Sequence, residues 1–228
     1  MRKILYQGSV KNIYEKNNEL ELEFSDRYSI FDWGEMPDKV FEKGKHLTDI
    51  TIALFDFLKA PTSFQNLSYP KSLNNAEITT LKNSKTLKTL KENGANTHYL
   101  GPDSSTSFLA KKMKVMIPTK LGNNFDYSQM NTELTNTLIP LEVVFRLGAP
   151  QGSSFLKRNP ETVQADQFLE NIAIDFYTKL EPQDRLLTFK EAQSMASLTD
   201  PEFANLIEYT KVLAIALFHK FNSIGFTL

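Results

Sequence analysis

The chain has 228 residues, of which 41% are hydrophobic and 23% charged, and this composition excludes a wholly disordered protein. Its 26 Lys and Arg side chains nearly balance 27 Asp and Glu, so the charge gives no indication of nonspecific binding to nucleic acids or anionic membranes. The absence of Cys excludes disulfides, thiolate catalysis and zinc bound through sulfur. Without a signal-peptide core or an apolar run of about 20 residues, the sequence predicts a soluble, cytoplasmic protein.

The first 25 residues predict a β-hairpin. Residues 4–15 are typical of one strand, and over residues 19–24 Glu alternates with Leu or Phe, which is the period of a strand with one buried face. Asn17 and Asn18 lie between these strands, and Asn tolerates the left-handed backbone that tight turns require.

Hydrophobic residues at helical spacing over 47–58 predict a helix that ends before Pro61. The segment 62–107 is rich in Ser, Thr, Asn and Lys, and its signals for helix or strand are weaker. Two strands then follow, at 107–116 and 138–147, and the long polar loop 117–137 lies between them.

From residue 160 onward the pattern is typical of helices. Residues 188–191 have the spacing of a capping box, and 199–202 start a second helix with Pro in its first turn. Gly225 is suited to cap the end of that helix. The final residues, 226–228, are typical of the opening of another strand.

The order of the elements, β-rich first and helix-rich later, predicts an α+β fold with two lobes. We place a β-rich N-terminal lobe at 1–116 and a second lobe, with the substrate-binding loop and the helices, at 117–228. The chain contains no internal repeat and no low-complexity tract that would indicate another kind of architecture.

Four segments could carry chemistry, and the first is Gly8–Lys11. A Gly on a strand lets a ligand approach the backbone, and Lys11 can meet phosphate oxygens, although one Gly and one Lys in a hairpin are more often incidental. The second segment, 25–34, combines Asp, Arg and hydroxyl side chains directly after a strand. It suits a polyanionic substrate or a metal, and a solvated turn with an ion pair is the alternative.

The third segment begins with a strand, 139–146, that ends at Arg146. A loop with Gly, Pro and Ser then leads to Lys157 and Arg158, and these groups together could form a phosphate cradle or, equally well, a solvated rim. The fourth segment, 177–185, is a mixed-charge loop that indicates little by itself. The three His residues have no metal-ligand spacing, so they give no indication of a metal site.

Taken together and in this order, the segments resemble the phosphoribosylaminoimidazole-succinocarboxamide synthase (SAICAR synthetase) family of purine biosynthesis. The family opens with Gly-Lys-x-Lys-x-x-Tyr, continues with Ser-Asp-Arg-x-Ser-Ala-Phe-Asp, and has an Ile-Pro-Leu-Glu-Val-Val-x-Arg strand before Gly-Ser and Lys-Arg. A Thr-Lys-x-Glu…Asp loop follows. The matching segments here are 8–14, 25–32, 139–146, Gly152-Ser153, Lys157-Arg158 and 178–184.

The resemblance implies an ATP-dependent carbon–nitrogen ligase that joins L-aspartate to the carboxylate of carboxyaminoimidazole ribonucleotide, with ATP and Mg²⁺ as cofactors. ATP would convert the carboxylate into an acyl phosphate, and ADP and phosphate would be released. The implied fold is a protein-kinase-like antiparallel small lobe followed by a mixed α/β, ATP-grasp-like lobe. Small-molecule substrates are expected, with neither nucleic acid nor membrane as partner, and the family leaves a homo-oligomer open.

The resemblance also implies roles for individual residues, although it assigns neither a catalytic residue nor a metal ligand in this chain. Arg146 and Ser153 would hold the 5′-phosphate of the ribonucleotide, and Lys179 and Asp184 would lie around the aspartate. The ATP-binding set is Gly8, Ser9, Val10, Lys11 and Leu138. The full substrate-binding set is Asp26, Arg27, Ser29, Asp32, Arg146, Gly152, Ser153, Lys157, Arg158, Lys179 and Asp184.

The chain departs from the family pattern in four places. Ser9 stands where the family has Lys, Ile30 replaces Ala, and the loop between Arg146 and Gly152 has five residues where the family usually has four. The family's second signature, Asp-x-Lys-x-Glu-Phe-Gly, which helps to bind Mg²⁺, would begin after the last residue. We therefore expect an incomplete C-terminal part. The alternatives are an inactive nucleotide-binding module of the same fold and an α+β interaction domain without a nucleotide site.

Overall fold

Two structural units share the chain. The computed structural model describes residues 2–30 and 33–226. The first unit consists of Met1–Pro61 with Asn93–Met113, and the second consists of Thr62–Glu92 with Lys114–Leu228. Each unit is therefore built from two pieces of the chain, whereas the lobes expected at 1–116 and 117–228 are continuous and stay a prediction.

The first unit is an antiparallel sheet with one helix. Five strands form the sheet in the order β1-β2-β3-β7-β6, and β4 pairs with β5 in a separate short hairpin. The bounds of the elements are β1 (Lys3–Gln7), β2 (Lys11–Lys16), β3 (Glu19–Phe24), β4 (Ser29–Ile30), β5 (Gly34–Glu35), α1 (Lys43–Lys59), β6 (Tyr99–Ser104) and β7 (Ser107–Ala110). As predicted, α1 ends before Pro61.

The single strand expected over residues 4–15 is wrong, because the chain turns back between β1 and β2. The Gly8 amide donates to the Lys11 carbonyl oxygen at 2.8 Å, and the two strands on either side pair antiparallel. The predicted hairpin between β2 and β3 is confirmed. Asn17 and Asn18 turn the chain there with φ values of 52° and 67°.

The hydrophobic face of β3 packs against α1. Leu22 and Phe108 are buried, and the ring of Phe55 on α1 lies 5.9 Å from that of Phe108. The alternation that the sequence predicts for β3 is confirmed by this packing. Glu21 on the opposite face is also buried, and Arg2 pairs with it at 3.3 Å.

The second unit follows a 3₁₀ turn at Pro61–Phe64 and combines a three-stranded antiparallel sheet with helices. The sheet has the order β10-β11-β12, and β8 pairs with β9 in a separate hairpin. The bounds are α2 (Asn75–Lys82), α3 (Lys85–Asn93), β8 (Thr119–Leu121), β9 (Asn124–Asp126), β10 (Leu141–Ala149), α4 (Ser154–Arg158), β11 (Gln167–Thr178), β12 (Leu186–Leu187), α5 (Phe189–Ala196) and α6 (Asp200–Ser223).

The helical pattern expected from residue 160 onward is wrong for β11, which is a strand of 12 residues. Its second half is buried at alternate positions, Ile172, Ile174, Phe176 and Thr178, with partly buried side chains between them. This period of two fits a strand whose core-facing side packs inside the unit. Pairing with β10, which lies far away in sequence, decides the structure of this segment.

Other elements are confirmed with shifted ends. The strand expected at 107–116 ends at Ala110, the strand expected at 138–147 is β10, and the polar loop 117–137 contains the β8–β9 hairpin. None of the helices in the described ranges, 2–30 and 33–226, is both long and apolar enough to cross a membrane.

The predicted helix starts are confirmed by their caps. The Thr188 hydroxyl accepts a hydrogen bond from the Glu191 amide at 3.2 Å, and the Glu191 carboxylate accepts one from the Thr188 amide at 2.7 Å. At the start of α6 the Glu202 carboxylate accepts from the Thr199 amide at 2.8 Å. Gly225, with φ of 83°, follows the last helical turn, whereas the strand opening expected at 226–228 lies mostly outside the described residues.

We expect Gly94→Ala to destabilise the first unit by more than about 3 kcal/mol, because it combines backbone strain with a steric clash. Gly94 has φ of 69°, and a Cβ atom there would lie 1.9 Å from the Lys59 carbonyl oxygen. Gly34 has φ of 77° with no atom within 4 Å of an added Cβ, so Gly34→Ala is the matched control and should cost about 1 kcal/mol. Urea unfolding measures both, and equal losses would contradict the clash.

Candidate functional site

In the first unit, Arg27 holds the turn between β1 and β2 from outside. Its Nη2 atom donates to the Gly8 carbonyl oxygen at 2.8 Å and to Asn12 Oδ1 at 2.8 Å, and its Nε atom lies 3.3 Å from the Ser9 carbonyl oxygen. The Ser25 amide and hydroxyl both donate to the Val10 carbonyl oxygen at 3.0 Å. Two sequence-predicted segments, the Gly8–Lys11 turn and the Ser-Asp-Arg segment, are thus brought into direct contact.

Asp26 and Ser29 occupy different surroundings. The Asp26 carboxylate accepts a hydrogen bond from the Gly44 amide at 2.8 Å, at the first turn of α1. A carboxylate at that position satisfies a helix N–H group and opposes the positive end of the helix dipole. Ser29 is exposed on β4, and Asp32 lies outside the described residues.

Lys11, the candidate phosphate-binding cation, lies near His98. The His98 ring packs edge-on against Phe55 with centroids 5.1 Å apart. Desolvation lowers the pKa of His98, and the positive charge of Lys11 lowers it further. The imidazole is therefore kept neutral near pH 7 and adds no second positive charge beside Lys11.

In the second unit, one carboxylate gathers two of the predicted substrate residues. Arg146 projects from β10 and Asp175 from β11. Asp175 is paired with Val144, and Arg146 lies two residues after Val144 on β10, so Arg146 and Asp175 are on the same face of the sheet. Arg146 Nε lies 2.8 Å from Asp175 Oδ2, and Arg158 Nη2 at the end of α4 lies 2.6 Å from the same oxygen. The Tyr177 hydroxyl is 3.4 Å from it.

The sequence reasoning missed Asp175, because it treated this segment as helical and so did not place the side chain opposite β10. The signal that could have found it is the alternation in the sequence, where Ile172, Ile174 and Phe176 are separated by single residues and Asp175 lies between the last two. The Asp175 side chain is only 14% exposed, and the two guanidinium groups exceed its charge by one positive unit. Burial opposes the charged form of Arg146, but hydrogen bonds with Asp175 and Tyr177 outweigh it and raise the Arg146 pKa.

The Gly-Ser loop leads from β10 into α4. Gly152 has φ of 79°, and the Ser153 hydroxyl accepts from the Leu156 amide at 3.2 Å as the helix cap. Phe155 in this helix lies under Arg146, with the guanidinium carbon 5.5 Å from the ring centroid. Lys157 is exposed on the same helix. The structure therefore brings Arg146 and Arg158 together, while Ser153 shapes the loop between them.

The loop after β11 carries the residues predicted to lie around aspartate. Lys179 Nζ pairs with Glu142 Oε2 at 2.9 Å, on the neighbouring strand. Asp184 lines a groove of about 560 Å³ between this loop and the β8–β9 hairpin. Four residues from the hairpin that the sequence reasoning did not single out share the groove: Lys120, Asn123, Asn124 and Phe125.

The floor of this groove contains a buried carboxylate. The Glu181 side chain is 6% exposed, and its Oε1 atom accepts from the Tyr127 hydroxyl at 3.1 Å and from Arg185 Nη2 at 3.3 Å. Desolvation, and then the bond to Glu181, raise the pKa of Tyr127 to about 12. The phenol of Tyr127 therefore stays protonated and keeps its hydrogen bond to Glu181 beneath the groove.

The remaining predicted residue, Leu138, lies just before β10 in the second unit. Its amide donates to the Lys114 carbonyl oxygen at 2.8 Å, and its side chain is 37% exposed. The ATP-binding set is therefore divided, with Gly8–Lys11 in the first unit and Leu138 in the second.

Binding of a metal ion by the candidate site would depend on side chains that could act as ligands. Within residues 2–30 and 33–226 there is no group of three or more His, Asp or Glu side chains that could hold a metal ion. The described residues thus do not fit the Mg²⁺ ion that the family resemblance implies.

Comparison with known proteins agrees with the sequence resemblance. Residues 4–228 match the family model for SAICAR synthetase. A protein of Archaeoglobus fulgidus that bears the provisional name phosphoribosylaminoimidazole-succinocarboxamide synthase is 32% identical over 230 residues, which include 88% of this chain. The synthase of Prochlorococcus marinus is 27% identical over 168 residues, with 74% of this chain covered. The chain spans 59% and 58% of the lengths of these two relatives.

Solved structures confirm the predicted α+β fold class. The Ehrlichia chaffeensis synthase matches with a TM-score of 0.61 at 20% identity, over 99% of this chain and 71% of the other. A SAICAR synthetase determined in complex with ADP matches with a TM-score of 0.65 at 18% identity, over the same shares. At these identities the likeness concerns the fold.

We expect Arg27→Lys to loosen the turn between β1 and β2, because an ammonium group cannot reproduce the guanidinium fork that reaches Gly8, Ser9 and Asn12. Hydrogen exchange of a peptide covering residues 4–14 should quicken by roughly tenfold, the equivalent of one charge-assisted hydrogen bond. Lys16→Arg, which keeps a cation beside Asp103, is the control and should leave the turn unchanged. Unchanged exchange in Arg27→Lys would contradict the anchoring.

We expect Tyr127→Phe to remove a pH-dependent part of the stability. The Tyr127 pKa is raised from 10 to about 12 in the folded chain. Because the folded chain favours the protonated phenol, Tyr127 contributes stability that is fully present below pH 10 and is lost as the pH rises through 12. Urea unfolding at pH 8 and pH 11 should therefore show the wild type losing its advantage over Tyr127→Phe, and a constant difference would rule out the linkage.

Proposed function

Because the chain belongs to the SAICAR synthetase family, we propose that it acts as an ATP-dependent ligase of purine biosynthesis. It joins L-aspartate to the carboxylate of carboxyaminoimidazole ribonucleotide, and it releases ADP and phosphate. The observation that carries this proposal is the pair of guanidinium groups, Arg146 and Arg158, gathered at one partly buried carboxylate. Arg forks are suited to bind phosphate through paired hydrogen bonds.

The proposed ribonucleotide site is built around this pair. Arg146 and Ser153 hold the 5′-phosphate, with Gly152, Lys157 and Arg158 alongside. The excess positive charge of the two guanidinium groups over Asp175 supports binding of a phosphate dianion. The strand that carries Arg146 supports precise placement, because it pairs with β11 along most of its length.

The proposed nucleotide site uses the turn between β1 and β2. Gly8, Ser9 and Val10 cover the ATP phosphates, Lys11 contacts them, and the backbone near Leu138 lies at the adenine. The hydrogen bonds from Arg27 and Ser25 to the turn support this role, since they hold three successive carbonyl oxygens from outside. The solved relative in complex with ADP is a further support for a nucleotide in this fold.

Asp26, Arg27, Ser29 and Asp32 belong in this proposal to the border of the imidazole carboxylate. The observed contacts of Asp26 with the Gly44 amide, and of Arg27 with the turn, favour an indirect role for these two side chains. Ser29 is exposed on the short β4 strand and keeps its hydroxyl in reach of a ligand. Asp32 is assigned from the family motif alone.

The proposed aspartate site includes Lys179 and Asp184. The groove that Asp184 lines also contains two cationic side chains, Lys120 and Arg185. These two cations, together with the carboxylates of Asp184 and Glu181, can complement the two carboxylates and the ammonium group of aspartate. With a volume of about 560 Å³, the groove is large enough for an amino acid of this size.

The chemistry proposed here needs no protein nucleophile. An oxygen of the substrate carboxylate attacks the γ-phosphorus of ATP, which gives an acyl phosphate and ADP. The aspartate amine then attacks the acyl carbon, inorganic phosphate leaves, and the amine loses a proton. Such a sequence depends on positioning and charge stabilisation, for which Lys and Arg side chains are suited. Mg²⁺ remains part of the proposal without ligands among the described residues.

The direct test is a reaction with ATP, Mg²⁺, L-aspartate and carboxyaminoimidazole ribonucleotide. Equal amounts of ADP and SAICAR should form, and omission of any substrate should abolish both products. A thermal shift with ATP accompanies this assay, because a ligand at 100 times its dissociation constant adds about 2.7 kcal/mol of stability. A shift without turnover would favour the inactive nucleotide-binding module, and neither shift nor turnover would exclude both functions.

We expect Arg146→Ala to raise the KM for the ribonucleotide by roughly tenfold to a hundredfold, the range for loss of a charged hydrogen bond. The KM for aspartate should change little, because the proposed aspartate groove lies on a different loop. Steady-state kinetics with each substrate varied in turn measures both values. Arg2→Ala, which removes two ion pairs in the other unit, is the control, and equal effects on both KM values would contradict the phosphate assignment.

A further inference from the structure

Asp175 joins side chains from three parts of the second unit at a single oxygen atom. Arg146 comes from β10, Arg158 from the end of α4, and Tyr177 from β11 itself, and all three point to Asp175 Oδ2. The distances are 2.8, 2.6 and 3.4 Å. The carboxylate therefore fixes the spacing between two guanidinium groups that the backbone delivers from independent elements.

Each guanidinium is also supported by an aromatic ring. The Arg146 guanidinium carbon lies 5.5 Å from the centroid of Phe155, and that of Arg158 lies 5.9 Å from the centroid of Tyr177. Such contacts favour a defined plane for each group. A guanidinium carries five N–H donors, more than the bonds to Asp175 use, so donors of a held fork can face an anion.

The arrangement matters most for Arg158, which stands at the end of a five-residue helix after a Gly-containing loop. The neighbouring Arg146 is held by the β10–β11 pairing, whereas α4 offers only a short backbone support. A charged hydrogen bond to a side chain on the central strand of the sheet substitutes for that support.

We propose that Asp175 is a positioning residue for the phosphate subsite: it holds Arg146 and Arg158 so that both can bind one phosphate group. This inference rests on the proposed function, since the phosphate is the 5′-phosphate of the ribonucleotide substrate. Asp175 acts through the two guanidinium groups and does not itself contact the substrate.

Charge and positioning make opposite predictions for Asp175→Asn. Removing a negative charge beside two cations would by itself strengthen the binding of an anion. Loss of a shared anchor would weaken it, because both guanidinium groups would have to be ordered when the phosphate binds. The direction of the change therefore separates the two effects.

The test is calorimetric titration of the whole chain with SAICAR, which carries the 5′-phosphate, and with the same riboside without its phosphate. Asp175→Asn should bind SAICAR roughly tenfold more weakly than the wild type, the effect of losing one charged hydrogen bond. Its affinity for the riboside should be unchanged. Asp175→Glu, which keeps the charge but moves it by one CH₂ group, should have an affinity for SAICAR between those of the wild type and Asp175→Asn.

Glu77→Gln is the matched control. Glu77 forms a comparably buried ion pair with Lys211 at 2.8 Å, between α2 and α6 in the same unit, with its side chain 11% exposed. This variant removes the same charge from the same unit away from the proposed site. It should lose thermal stability to an extent similar to Asp175→Asn and bind SAICAR like the wild type.

Three results would overturn the inference: equal or tighter SAICAR binding by Asp175→Asn, an equal loss of affinity for the riboside, or weak binding by Glu77→Gln. If Asp175→Asn does not fold, the glutamate variant decides, and full wild-type affinity for SAICAR there overturns the inference. Titration with inorganic phosphate separates the two proposals. Phosphate binding that depends on Asp175, without SAICAR binding, supports the positioning role and contradicts the proposed function; binding of neither ligand by the wild type contradicts both.

Discussion

The antiparallel pairing of β10 with β11 is the constraint on which the candidate phosphate site depends. Leu141 pairs with Thr178 and Arg146 with Ala173. In this register the polar side chains of both strands lie on one face, and the buried side chains of β11, such as Ile174 and Phe176, lie on the other. A shift of this register by one residue would turn Asp175 into the core. The buried hydrophobic face therefore determines where the charges of the opposite face can meet.

The same relation between a buried face and a polar face recurs in the first unit. The hydrophobic side of β3 packs under α1, and the other side carries Glu21 and Glu23, which Arg2 pairs with at 3.3 and 2.8 Å. Asn12 donates to Glu23 and accepts from Arg27, so the polar face is connected to the turn at Gly8. In both units, packing sets the geometry and charged side chains extend it to the candidate ligand sites.

Local signals in the sequence predicted the elements that depend on neighbouring residues. Asn17 and Asn18 were sufficient to place a hairpin, and the capping residues Thr188 and Thr199 marked helix starts correctly, because these structures are stabilised within a few residues. The strand β11 was not predicted, since its stability comes from a partner strand that begins 26 residues earlier. Asp175 was missed for the same reason, whereas Arg146 was found from its place at the end of a strand before a Gly- and Ser-containing loop, and the family resemblance added its role.

The way in which Arg27 holds the turn has a consequence for how this segment can vary between related proteins. Two of the contacts reach the carbonyl oxygens of Gly8 and Ser9, so they depend on backbone atoms that every amino acid shares. A substitution at position 9 can therefore change the charge of the turn without removing its anchor. Either Ser or Lys at this position is compatible with the same turn shape, because the anchor depends on the Arg27 side chain and not on the side chain at position 9.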